Sequence, residues 1–217
     1  MYDNLKFKQL GLMHISPDIL NRCRLNAGDV LGLYNPKGDG NCGWRASSVL
    51  INGNEEHYDI VKMLMMHALL DHREHYEWVL SKEGYDDRLT TLTHKGPITS
   101  ERLWFDSLDC PMLLAEAYNR PVVIYLRPRD PNLADQSISG VTFLPIFSEC
   151  HDNHDHINHA PVVLFLNCNH IQLIVIKDDA INRVIWPKIF PGYEGLVAKR
   201  GLSTSWLDLY RPRCLKF

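Results

Sequence analysis

One cysteine stands in surroundings suited to chemistry. Cys42 follows the loop Asn35-Pro36-Lys37-Gly38-Asp39-Gly40-Asn41 and precedes Gly43-Trp44-Arg45. Two glycines, an Asp and an Asn make a tight turn, and a helix-compatible run over 44–51 follows at once. A thiol at a helix start meets backbone N–H groups and the positive end of the helix dipole, which favour the thiolate and lower its pKa. The N–H groups of Asp39, Gly40, Asn41 and Cys42 are also placed to hold the oxyanion formed when a thiolate attacks a carbonyl. Cys42 therefore reads as a catalytic nucleophile. The competing reading is a small buried cysteine at a helix start.

A nucleophilic thiol needs a base, usually His, and the two need not be neighbours in sequence. Of the eleven His, His170 is best placed, at the mouth of a hairpin leading into the apolar run 171–176. The segment Cys150-His151-Asp152-Asn153-His154-Asp155-His156-Ile157-Asn158-His159 is the other concentration of imidazoles. Metal binding is its sharp reading. Its loose spacing, without framing elements or a thiolate pair, favours a polar surface loop. The five other cysteines lack a glycine-rich loop and read as packing or surface thiols.

The elements that must position these residues follow from periodicity and turn chemistry. Ser16-Pro17-Asp18 is an N-cap with Pro at the first helical position, opening a short helix through Cys23. The helix after Cys42 should stop near Asn52-Gly53. Tyr58, Val61, Leu64, Met65, Ala68, Leu69, Tyr76 and Val79 predict one long helix over 57–80, with His67, His72 and His75 at solvated or edge positions. The polar, punctuated stretch 81–100 reads as a loop with short helical turns at most. Asp109 is the candidate cap of a further helix ending at Asn119. Strands are expected over 121–125 and 141–147, separated by a polar loop, and an antiparallel hairpin over 161–166 and 171–176. Helices come first and strands cluster late, which indicates α+β.

Composition narrows the class. At 217 residues the chain can bury a full core, and one domain over 1–217 is expected. A net charge of −3 suggests neither nucleic acid nor an anionic membrane as partner. Six cysteines without a CxxC pair argue against a thiolate zinc site, and a chain of this size does not need disulfides. Asp3, Lys6 and Lys8 break up the N-terminus, so it is no signal peptide, and no stretch reaches the roughly 18–20 apolar residues of a spanning helix. A reducing, cytoplasmic setting fits, including the cytoplasm of a host cell if the source is a pathogen.

With these residues in view, Gly38-Asp39-Gly40-Asn41-Cys42-Gly43-Trp44-Arg45 resembles the Cys box of OTU (ovarian tumour) cysteine proteases, most of them deubiquitinases. Trp104 and the run Leu113-Leu114-Ala115-Glu116-Ala117-Tyr118-Asn119-Arg120-Pro121-Val122-Val123-Ile124-Tyr125 are similar to the family's Trp-containing helix and central strand. The helix over 57–80 looks like the family's second helix, and Asn169-His170-Ile171-Gln172-Leu173 like its His box. The match spans about 35–176, Cys first and His last.

The resemblance implies a papain-like OTU fold, a central mixed β-sheet flanked by helices. It also implies hydrolysis of isopeptide or peptide bonds after the C-terminal Gly of ubiquitin or a ubiquitin-like modifier, through a thioester, by a monomer needing no cofactor or metal. Three positions depart from the pattern: Gly43 replaces a bulky residue, which would widen the pocket beside the thiol, Ile171 replaces an aromatic, and Gln172 stands where many members orient the imidazole with Asn or Asp. Asp39 is the other candidate orienter, as some members use an upstream Asp; position favours Gln172, on the same strand face as His170. The arginines of a ubiquitin tail call for an acidic outer cleft, for which Glu83, Asp86, Asp87, Glu149, Asp152 and Asp155 are candidates. Two alternatives remain: a papain-fold protease for an unrelated substrate such as a polyprotein, and a ubiquitin-binding pseudoenzyme.

Overall fold

The computed structural model describes residues 10–127, 138–150 and 160–215. The expected His cluster at 151–159, with Asp152 and Asp155, lies outside them. The architecture is α+β, built on one five-stranded mixed sheet.

Helix α1 (Pro17–Arg22) starts as its sequence dictates, with the Ser16 hydroxyl accepting from the Ile19 N–H. Strand β1 (Val30–Tyr34) follows, and the loop 35–41 leads into helix α2 (Cys42–Asn52). Gly53 ends α2 in the left-handed conformation, its N–H returning to the Val49 carbonyl. Next come α3 (Tyr58–Asp71), α4 (Arg73–Thr93) and α5 (Asp109–Ala117). The remaining strands are β2 (Val122–Leu126), β3 (Ser139–Phe143), β4 (Val162–Asn167) and β5 (His170–Ile176), before α6 (Tyr193–Arg200) and α7 (Ser205–Tyr210).

The sheet runs β1-β5-β4-β2-β3. Among the described strands, only β2 and β4 pair in parallel; the other neighbours are antiparallel. Strands β4 and β5 form the expected hairpin, in the register Asn167↔His170, with Cys168 at φ 59 in its two-residue turn. Helix α2 packs on β5 and β4, and α3 packs on α2 and α5. One apolar cluster joins side chains from Ile15 to Cys214, with Trp44, Trp186, Trp206, Tyr76 and Phe165 among its largest fully buried members.

Five expectations need correction. The long helix predicted over 57–80 breaks at His72, whose backbone leaves helical values (φ −118, ψ 37) and whose ring stacks on Phe147 at 3.8 Å. The stretch 81–93 is helical rather than a loop: after a non-helical Ser81 (φ 65), the serine hydroxyl accepts from the Gly84 N–H and restarts the helix. His75 is buried, not at an edge, between Tyr76 and Phe147. The cap of α5 comes from Asp106, which accepts from the Leu108 and Asp109 N–H groups, not from Asp109. Strand β3 ends at Phe143 instead of 147, because the Glu116 carboxylate draws in the N–H groups of Ile146 and Phe147 and the Ser148 hydroxyl.

Candidate active site

The loop before Cys42 is held from three directions. Asp39 accepts the Asn41 N–H at 3.0 Å, which turns the chain towards the helix start. Arg45, one turn into α2, returns to Asp39 through Nε and Nη2, the latter at 2.8 Å, with both side chains nearly sealed from solvent. Arg45 also bonds Glu56 and lies 4.3 Å from the Tyr58 ring centre. On the other side the segment 94–98 straps the loop: the Ile98 N–H donates to the Asp39 carbonyl, and the Asn41 amide donates to the Gly96 carbonyl. Gly40 needs to be glycine twice over. Its φ is +83, and a Cβ would sit 2.2 Å from the Ile98 carbonyl oxygen.

This scaffold delivers Cys42 to a cleft of about 650 Å³ lined also by Gly38, Gly40, Trp104, Phe105, His170 and Ile171. The Ile171 N–H donates to the Cys42 sulfur at 3.4 Å, which ties the start of β5 to the thiol. Cys42 is buried, and burial raises its pKa. The N–H groups of Ile171, Gly43 and Cys42 itself pull the other way, and the Asp39 charge adds to the rise. The net rise corrects the expectation of a lowered pKa: desolvation outweighs the helix N-terminus. Burial likewise lowers the His170 pKa, partly offset by a bond to the Pro36 backbone carbonyl. Both shifts favour the neutral thiol and the neutral imidazole over a thiolate–imidazolium pair.

The predicted site residues divide. Cys42 and His170 share the cleft. The two candidate orienters are engaged elsewhere: Asp39 pairs with Arg45, and the Gln172 amide N–H donates to Asn35 Oδ1 at 2.9 Å. It is Asn35 Oδ1 that meets His170 Nε2, at 3.0 Å. Asn35 was missed because it stands seven residues before Cys42, outside the Cys box. It follows the end of β1, whose pairing with the strand of His170 brings the two together and leaves no signal in the sequence. Of the four proposed oxyanion donors, the Asn41 N–H is consumed by Asp39, and the Cys42 N–H faces its own sulfur together with that of Gly43.

Gly43 does not widen the pocket. A Cβ there would lie 2.3 Å from Phe105 Cγ, so Phe105 fills the space a side chain would take and packs edge-on against Trp44. The proposed acidic rim is also altered. Glu83, Asp86 and Asp87 lie on α4, and Asp87 is paired with Arg102 at 2.6 Å. The acids lining the cleft are Glu101 and Asp106, the latter paired with Arg88. Among the described residues, no group of three or more His, Cys, Asp or Glu is arranged to hold a metal. No disulfide joins the cysteines, and no helix among the described residues is long and apolar enough to cross a membrane.

Cys42 thus stands at a helix N-terminus against a mixed sheet whose strand β5 opens with His170. Several solved structures similar to this chain are OTU domains. The viral OTU domain protease of Dera Ghazi Khan virus matches at 14% identity and TM-score 0.46, over 68% of this chain and 87% of that one. The OTU domain of OTUD1 matches at 14% identity and TM-score 0.46, over 67% and 86%. The viral OTU domain protease of Farallon virus matches at 18% identity and TM-score 0.42, over 67% and 84%. No protein-family model and no curated protein matches the chain.

Proposed function

We propose that this chain is a thiol-dependent deubiquitinase, acting on ubiquitin, polyubiquitin or a ubiquitin-like modifier as a single catalytic domain over 1–217. The observation that carries the reading is the bond from the Ile171 N–H to the Cys42 sulfur, which puts His170 and the thiol at one cleft. The Cys box residues support it, since Asp39, Gly40 and Arg45 each have a structural task in holding the thiol loop.

In this mechanism Cys42 attacks the carbonyl carbon of the modifier's terminal Gly while His170 takes the thiol proton. The oxyanion is held by backbone N–H groups around Gly40 and Cys42. His170 returns the proton to the departing lysine amine, the C–N bond breaks, and a thioester remains. Water, deprotonated by His170, attacks the thioester, and the acid and the free thiol leave. The raised thiol pKa makes proton removal by His170 part of the attack, not a step completed in the resting enzyme.

The test is hydrolysis of a fluorogenic ubiquitin C-terminal amide. Turnover by the parent and none by Cys42→Ala supports the reading. A correctly folded parent that binds ubiquitin without turnover supports the pseudoenzyme instead. Turnover of unrelated peptides but not of ubiquitin supports the unrelated protease.

A further inference from the structure

We propose that Asn35 is the positioning residue for His170, and that Gln172 acts through Asn35 by turning its amide oxygen to the ring, so that the neutral imidazole carries its proton on Nε2. This deepens the function proposed above and rests on it. The geometry is a three-membered chain. Gln172 Nε2 donates to Asn35 Oδ1 at 2.9 Å, and the same oxygen lies 3.0 Å from His170 Nε2.

An amide NH₂ can only donate, so its partner atom on Asn35 must be the oxygen. An oxygen accepting from Gln172 also accepts from the ring, so Nε2 must supply an N–H. A neutral imidazole has one N–H, which leaves Nδ1 as the lone-pair nitrogen able to take a thiol proton. The positions suit the task. His170 and Gln172 alternate onto one face of β5, Gln172 is buried, and Asn35 follows the end of β1, the strand paired with β5. The arrangement differs from a carboxylate orienter in one respect. Two neutral amides fix orientation and tautomer without adding a charge that would stabilise imidazolium.

The rival arrangement is also defined. If both amides were reversed, Asn35 Nδ2 would donate to Nε2 and the proton would sit on Nδ1; the Pro36 carbonyl also meets the ring and can only accept, so it favours an N–H on whichever nitrogen it faces. The two differ in tautomer, which is measurable without any substrate.

The experiment has two arms. The first is ¹⁵N NMR of the His170 ring in the Cys42→Ala protein, above the ring's titration and assigned against His170→Gln. Protonated Nε2 is expected, passing to a tautomer mixture with Asn35→Ala and with Gln172→Ala. Asn35→Asp should keep Nε2 protonated and raise the ring pKa, because the added carboxylate stabilises imidazolium. A proton on Nδ1 in the parent, or a tautomer indifferent to Asn35→Ala, overturns the proposal. The second arm is turnover: Asn35→Ala should lower kcat by about 10- to 100-fold with little change in KM. Asn35→Asp should recover much of the rate and shift the acidic limb of the pH profile upward. Asn35 is exposed, so folding is not at risk in these variants. An inactive parent with Nε2 protonated would sink the hydrolase reading but not the tautomer relay. An active parent in which Asn35→Ala turns over normally would sink the positioning role alone.

Discussion

At the residue scale the site is governed by a contest between burial and hydrogen bonding. Cys42 has three N–H groups near its sulfur and still ends with a raised pKa, because desolvation is the larger effect. His170 moves downward for the same reason. Alkylation of Cys42 by iodoacetamide in the free protein should therefore rise with pH through a midpoint above the ordinary thiol value of about 8.5. A rate already at its plateau near pH 6 would mean a resting thiolate–imidazolium pair. In turnover, the acidic limb should lie below the ordinary histidine value of about 6.5, since His170 must be neutral to accept a proton. That Cys42 and His170 would meet at one cleft was legible from local pattern: glycines around one, a hairpin and strand beside the other. Asn35 was not, because an asparagine near a proline reads as turn chemistry, and its partner lies 135 positions away.

At the element scale the Cys loop works as a clamped turn. The Asp39–Arg45 pair is buried, so removing one partner strands the other. Arg45→Ala should cost about 3–5 kcal/mol in urea unfolding, where a loss below about 1 kcal/mol would show the pair to be incidental. Burial raises the Asp39 pKa, but the bonds from Arg45 and Asn41 outweigh it, and the net shift is downward. Its contribution is thus complete above the unfolded carboxyl value of about 3.9 and is lost as pH falls through the lower folded value. Gly43 and Phe105 form a second unit. Gly43→Ala should destabilise by about 1–3 kcal/mol in the parent and far less in a Phe105→Ala background, because the clash is with that ring. Equal losses in both backgrounds would refute the pairing. The sequence pattern exposed the vacancy at 43, but not the side chain that fills it from 62 positions downstream, since complementary packing leaves no periodic trace.

At the scale of the whole molecule, the α+β class, the helix starts at Ser16-Pro17 and Cys42, the stop at Gly53 and the β4–β5 hairpin could all be read from caps, turns and apolar runs. Strand β1 could not: Val-Leu-Gly-Leu-Tyr is short and carries a glycine, and its pairing with β5 is non-local. The break at His72 and the burial of His75 were hidden because periodicity continues across the kink. His75 has a consequence for the entire fold. Burial, with the nearby Arg200 and His72, lowers its pKa to about 4, and neither ring nitrogen has a hydrogen-bond partner among the described residues. An unfolded histidine titrates near 6.5, so between these values the unfolded chain binds more protons and stability falls as pH drops from about 6.5 towards 4. His75→Phe should flatten that part of the stability curve in thermal melts; an unchanged slope would place the acid sensitivity elsewhere.

The proposed activity turns on whether this thiol takes a ubiquitin C-terminus. Incubation with ubiquitin vinyl sulfone, followed by intact mass and peptide mapping, answers that directly. The expected result is one ubiquitin adduct on Cys42, absent in Cys42→Ala and strongly slowed in His170→Ala. An adduct on another cysteine, or none on a protein whose Cys42 still reacts with iodoacetamide, would contradict it.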